Sequence, residues 1–316
     1  MTSSPPTRYA VGRAFRLVIW FCMAQSILSC IACSSSEPPV FDGDRAWETL
    51  LKQCEYGPRV PGSAARDSVA FFLTRTLVRY GAEVSAQRFE VSDPYDDRVI
   101  PMINVIANFY PDRPRRVLLA AHYDSRPWAD EEADDSLRAQ PVLGANDGAS
   151  GVAVLLEVAR LLGLHKPADI GVDIVFFDGE DYGKKDDLEY YLLGSQYFVA
   201  TRPDYRPVCG ILLDMVAGKE SVIAKEGYSR THAKELTDEL FARAGRLGLE
   251  FFHPIDGGPI YDDHVPFLRS GIKMTDLFGY EYPYWHTVSD VPENCSKERM
   301  AQVGTLVLDF LYDFPF

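Results

Sequence analysis

The sequence predicts an α/β fold: a central mixed, mostly parallel twisted sheet with helices on both faces, built as a single domain. Three observations predict it. Two segments, IGVDIVFFDGED (170–181) and VCGILLDMVAG (208–218), are apolar without the alternation of a half-exposed strand, so both their faces are expected to be buried. Segments with apolar residues at helical spacing alternate with such strands, the pattern of a sheet covered by helices. The polar residues able to do chemistry fall at strand ends, in AAHYD, DGED and LLDM, where the sites of open α/β sheets lie.

In chain order, a first helix is expected near Ala46–Glu55. A second follows PGS, where Ser63 suits the cap, and Val69, Phe72, Leu73 and Leu77 recur at helical spacing up to Gly81. VIPMINVIANF (99–109) and RRVLLAAHYDS (115–125) read as strands joined by the turn YPDRP, an antiparallel hairpin. GASGVAVLLEVARLL (148–162) reads as a helix, the segments 170–181 and 208–218 as buried strands, and 232–247, 263–270 and 297–312 as further helices.

The 316 residues suffice for one large α/β domain with a sizeable core. The net charge is −14, and the only charges in the first 33 residues are Arg8, Arg13 and Arg16. The rest is therefore more acidic still, which excludes a phosphate-backbone binder and leaves no nucleic-acid partner expected. The apolar run Leu17–Cys33 is short for a bilayer span and ends in small residues, then SSSEPP. A Cys before a Ser run is the mark of a lipoprotein-type signal peptide (1–33), with Cys30 (in ILSC) or Cys33 (in CIAC) as lipid anchor; an ordinary secretory signal or an uncleaved anchor helix is the plainer alternative. A Ser/Pro-rich tether (34–45) and one folded domain (46–316) follow. The expected place is exported and periplasmic, held to a membrane by the anchor, and the expected state a monomer. Cys54, Cys209 and Cys295 match no zinc-knuckle spacing; one disulfide is allowed among them, with no pairing implied. The loop ADEEADDSLR (129–138) reads as solvated, with a calcium site as the lesser alternative.

Five positions carry the candidate chemistry: His122, Asp147, the pair Glu180–Asp181, Asp214 and His286. Singly, each has an ordinary reading: a hydrogen-bonded histidine, a helix cap, a strand-end acid, a solvated turn. Jointly they do not. Four acids at the ends of buried strands repel one another and lose hydration unless a cation joins them. Zinc suits carboxylate and imidazole donors, and a catalytic zinc keeps three protein ligands and an open position.

The ordered set HYDS, NDGASG, DGED, LLDM, DDHVPF and WHT resembles the zinc aminopeptidases and their relatives, the zinc-dependent glutaminyl-peptide cyclotransferases, over about residues 45–316. RPWAD, LGANDGASG, EDYG, LGSQYF, LLDMV and KEGYS are similar to bacterial members of the animal-type cyclase branch. The resemblance implies the zinc aminopeptidase-like (phosphorylase/hydrolase-like) version of the α/β fold. It also implies one zinc per chain on Asp147, Asp181 and His286, and an enzyme that turns N-terminal glutamine, more slowly glutamate, of peptides and proteins into pyroglutamate with loss of ammonia. Glu180 would be the proton carrier, Asp214 and Asp262 a proton-sharing pair, and Trp285, Tyr282 and Tyr284 the substrate pocket.

The same motifs leave a two-zinc aminopeptidase open, because His122, Asp147, Asp181, Asp214 and His286 match all five peptidase ligands. Against it stand Asp262, where the peptidases usually carry serine, and Trp285 before the histidine; His122 would then be the remnant of a second metal position. Glu180–Asp181 also departs from the Glu-Glu of many relatives. A noncatalytic binding lipoprotein on the same scaffold is the third reading, disfavoured because neither base nor ligand is missing.

Overall fold

The computed structural model describes residues 1–6, 37–185 and 187–316. The signal-peptide reading, with Cys30 and Cys33, lies outside the described residues. No described helix is long and apolar enough to cross a membrane.

The elements are α1 (Gly43–Cys54), α2 (Ala64–Arg79), β1 (Glu83–Ser92), β2 (Val99–Phe109), β3 (Arg116–His122), α3 (Ala149–Leu164), β4 (Gly171–Phe177), α4 (Leu193–Thr201), β5 (Cys209–Asp214), β6 (Val222–Lys225), α5 (Gly227–His232), α6 (Lys234–Arg246), β7 (Phe252–Asp256), α7 (His264–Arg269), β8 (Met274–Tyr280) and α8 (Lys297–Tyr312). Helix α1 starts three residues earlier than the apolar spacing predicts, because the Asp42 side chain accepts from the N–H groups of Asp44 and Arg45 at 3.1 and 3.2 Å. Ser63 caps α2 as expected, accepting from Arg66 N–H at 3.2 Å.

The described strands form one mixed sheet in the order β1-β2-β4-β3-β5-β8-β6-β7. β4, β3, β5 and β8 run parallel, as does the pair β6–β7, while β1–β2, β2–β4 and β8–β6 are antiparallel. This corrects the expected hairpin. The chain reverses between β2 and β3 as the turn signal requires, but β4 lies between them, with Val105 opposite Phe176 and Phe109 opposite Val172. A turn signal sets direction, not adjacency, and the residues between two strands can cross two inter-strand spacings of about 4.8 Å.

Side chains alternate across the central strands. Val117, Leu119 and Ala121 join the larger core against α1, α2, α3, α6 and α8, while Leu118 and Ala120 face Phe198 of α4 and Phe267 of α7. Both faces are thus covered, which is why these strands read as unbroken apolar runs. The parallel register then builds the site. His122 pairs with Phe177, three residues before Glu180, and Ala120 with Leu212, so His122 ends level with Asp214 and close to the 180–181 loop.

Candidate metal centre

The loop Gly144–Gly148 brings Asp147 over the end of β3. The Asp290 carboxylate accepts from the N–H groups of Asn146 and Asp147 at 2.8 and 3.1 Å. Gly148 is required by space: a Cβ there would collide with the ring and carbonyl of His122. Asp124, two residues past His122, accepts from the N–H groups of Glu180 and Asp181 at 3.2 and 3.3 Å, which fixes the acid pair after β4. His286 sits in the left-handed region (φ 54°), where a tight turn aims its ring inward.

These devices gather six of the expected residues. His122 Nε2 lies 3.0 Å from Asp147 Oδ1 and 3.2 Å from Asp214 Oδ1. His286 Nε2 lies 3.2 Å from Asp181 Oδ1 and 3.6 Å from Asp147 Oδ2. The donor atoms of Asp147, Asp181 and His286 all fall within 4.8 Å of one another, and so do those of His122, Asp147 and Asp214, with Asp147 common to both groups. A divalent cation fits the first group: two carboxylates and an imidazole converge, and Asp181 Oδ2 is buried without a hydrogen-bond partner.

Burial pushes the Glu180 carboxyl well above the usual range; His122 opposes this, and Asp181, Asp262 and Asp263 add to it. Asp181, one residue on, goes the other way. Burial works against its charge, but His286 and Arg126 hold it down to about 2. Burial, and then the charges of Asp214 and Asp263, raise Asp262 well above an ordinary aspartate. Asp214 is raised by burial, against its hydrogen bond to His122. Asp262 Oδ1 accepts from Asp263 N–H, while its Oδ2 is buried without a partner. Asp181 is thus held towards its charged form, while Glu180, Asp214 and Asp262 are all pushed towards holding a proton.

The three aromatic expectations separate. Trp285 is 43% exposed and its ring stacks on His286, centroids 3.8 Å apart, so it stands at the mouth of the site. Tyr284 is half-buried, its ring edge-on to Tyr282 at 5.5 Å. Tyr282 is buried and donates its hydroxyl to Asp290 Oδ1 at 2.8 Å, so it supports the Asp147 loop from behind.

Sequence reasoning missed Asp124, Asp290 and Arg126. Asp124 and Arg126 stand within four residues of His122, and Asp290 within four of His286, so nearness to a candidate ligand was the available signal. In a third group, Asp262, His264 and Asp276, only Asp262 was expected; His264 and Asp276 were missed. This group lies behind the site, where Glu226 accepts from His264 Nε2 at 3.0 Å and from Ile260 N–H at 2.9 Å.

The profile of Peptidase family M28 matches residues 104–311. The chain is similar to a mouse (Mus musculus) glutaminyl-peptide cyclotransferase-like protein, 28% identical over 306 residues that cover 86% of this chain and 76% of the relative. It is also similar to two crystal structures from Bacteroides thetaiotaomicron, each 37% identical and covering 88% of this chain and 99% of the other. One is a glutaminyl cyclase bound to N-acetylhistamine, with TM-score 0.84; the other is a leucine aminopeptidase precursor, with TM-score 0.85.

Proposed function

From the premise that the chain belongs to peptidase family M28, we propose that it is a glutaminyl-peptide cyclotransferase, an enzyme converting N-terminal glutamine of peptides and proteins to pyroglutamate with release of ammonia. N-terminal glutamate would be the slower substrate. The observation that carries the choice over peptide hydrolysis is Asp262. It is a carboxyl raised by burial and then by the charge of Asp214, which supports a proton held between the two acids rather than two free metal ligands.

Asp147, Asp181 and His286 would hold one zinc, which supplies polarisation of the substrate γ-carbonyl. The rest falls to the chain's own side chains. The substrate α-amine attacks its own γ-carbonyl carbon, so a ring C–N bond forms as the C–NH2 bond breaks. Glu180 accepts the proton that the amine sheds and returns it to the departing nitrogen, which leaves as ammonia. A carboxylate raised by burial suits both halves of that task. Asp262 and Asp214, with one proton between them, orient the departing amide nitrogen. Trp285 at the mouth limits water, which would otherwise hydrolyse the γ-amide to glutamate. Since both reacting groups belong to one side chain, orientation does much of the work.

One observation favours a second reading. His122, Asp147 and Asp214 also form a group with donor atoms within 4.8 Å, the composition a second zinc of an aminopeptidase would take. Purified protein given a Gln-initiated and a Leu-initiated peptide separates the two: ammonia release at unchanged peptide length supports the cyclase, and free leucine supports the peptidase. For the cell, we propose export with a lipid anchor on Cys30 or Cys33, which the Arg-flanked apolar segment and the Ser run support, and a monomer acting on peptide N-termini.

A further inference from the structure

The stretch SRPWAD (125–130) follows β3 and touches the metal centre from outside. Arg126 is 1% exposed. Its Nη1 donates to Asp181 Oδ1 at 2.7 Å and to Asp181 O at 3.4 Å. Its Nε and Nη2 donate to Asp130 Oδ1 and Oδ2 at 2.7 and 2.6 Å, and Nη2 also donates to the Tyr191 hydroxyl at 2.9 Å. Asp130 Oδ1 in turn lies 3.7 Å from His286 Nδ1. A single guanidinium–carboxylate pair therefore reaches two of the three side chains assigned to zinc. It meets His286 on the ring nitrogen away from Asp147 and Asp181, and it takes Asp181 by Oδ1, leaving Oδ2 without a protein partner.

We propose that Arg126 and Asp130 form a positioning clamp for the metal centre, holding the Asp181 carboxylate and the His286 ring in ligating orientation. The proposal rests on the reading of Asp147, Asp181 and His286 as zinc ligands. The chemistry calls for arginine. Its planar fork bonds one carboxylate with two parallel N–H groups and still presents a third to another, whereas a lysine ammonium is a point charge that cannot keep both geometries. A carboxylate facing the outer nitrogen of a metal-binding histidine favours the tautomer and ring orientation that present the other nitrogen to the metal, and loss of such outer partners typically weakens metal binding about 10–100-fold.

The test is zinc affinity, measured by competition with a chromophoric chelator, for the wild type, Arg126→Lys, Asp130→Asn and Asp181→Ala, with thermal midpoints of the zinc-free proteins alongside. Arg126→Lys and Asp130→Asn should each weaken zinc about 10–100-fold, and the double variant by less than the product of the two, since both break one clamp. The Asp130 side chain is 21% exposed, so Asp130→Asn should keep the zinc-free midpoint and decides the matter even if Arg126→Lys fails to fold. Affinity within twofold of wild type in Asp130→Asn, while Asp181→Ala loses zinc, overturns the clamp alone. Retention of wild-type affinity by Asp181→Ala overturns the ligand assignment beneath it, and the clamp with it.

Discussion

Two groups of three side chains share Asp147, and they differ in what balances their charge. In the group Asp147, Asp181 and His286, a fixed cation, Arg126, sits 2.7 Å from Asp181 Oδ1 and leaves Oδ2 unpartnered. In the group His122, Asp147 and Asp214, the imidazole itself stands among the acids, 3.0 Å from Asp147, 3.2 Å from Asp214 and 3.5 Å from Asp124. Burial disfavours charge on His122, but its neighbours Asp124, Asp147 and Asp214 raise its pKa well above the ordinary value. Similar donor sets can thus serve opposite ends. One group keeps an open oxygen for a metal; in the other the imidazole nitrogen is already engaged by Asp147 and Asp214.

The sharpest way to break that contrast is to remove one acid from each group. Asp181→Ala should lose zinc and all measurable cyclisation, whereas Asp214→Asn should keep its zinc while losing activity; elemental analysis after gel filtration checks both. Loss of zinc from Asp214→Asn would make the groups equivalent. Next in size is Glu180→Gln, which should lower kcat by about 10²–10⁴ with zinc retained, as expected for a lost proton carrier. In the wild type, Glu180 must be ionised to accept the amine proton, and burial raises its pKa. Activity should therefore fall on acidification through a midpoint above the roughly 4.3 of a free glutamate, readable from the pH profile of kcat/KM.

His122→Ala tests the other side. It removes the imidazole that stands among three buried acids, so urea unfolding should show a loss of about 3–5 kcal/mol, with zinc content unchanged. The smallest effect concerns the support behind the site. Hydrogen bonds from His264 and from the N–H groups of Ser229 and Ile260 hold Glu226 down to about 2, against its burial. A depressed carboxylate stabilises the fold above its unfolded pKa, and that contribution fades as pH falls from about 4.3 towards 2, amounting to about 3 kcal/mol at neutral pH. Glu226→Gln should therefore be less stable than wild type at pH 7 and close to it near pH 2. A constant gap in urea midpoints across that range would show that Glu226 does not titrate in this way.

Much of this was legible before the fold was known, for reasons particular elements make plain. β4 and β5 are buried on both faces, so their apolar runs and the acids ending them stood out. β1, with the pattern EVSAQRFEVS, lies at a sheet edge with little burial, and no apolar face announces it. β8 was hidden for the opposite reason: it is buried yet carries Thr275, bonded to the Thr237 hydroxyl, and Asp276, a member of the third acid group. His122, Asp147, Asp181 and Asp214 were readable because they fall at or just past a strand end or just before a helix, whereas His286, in a turn, was readable only from the WHT motif. Arg126, Asp124 and Asp290 were not, since their work depends on which backbone N–H or carboxylate the fold carries to them. Tyr282 shows the same limit, as its position beside His286 suggested a pocket wall while its hydroxyl turns to Asp290.

The contrast between the two groups is tested most directly by the number of zinc ions per chain. The measurement is elemental analysis of the purified enzyme after equilibration with excess zinc and gel filtration. The account predicts one zinc per chain, lost in Asp181→Ala and kept in His122→Ala. Two zincs per chain in the wild type, falling to one in His122→Ala, would contradict it and make the site a two-metal centre.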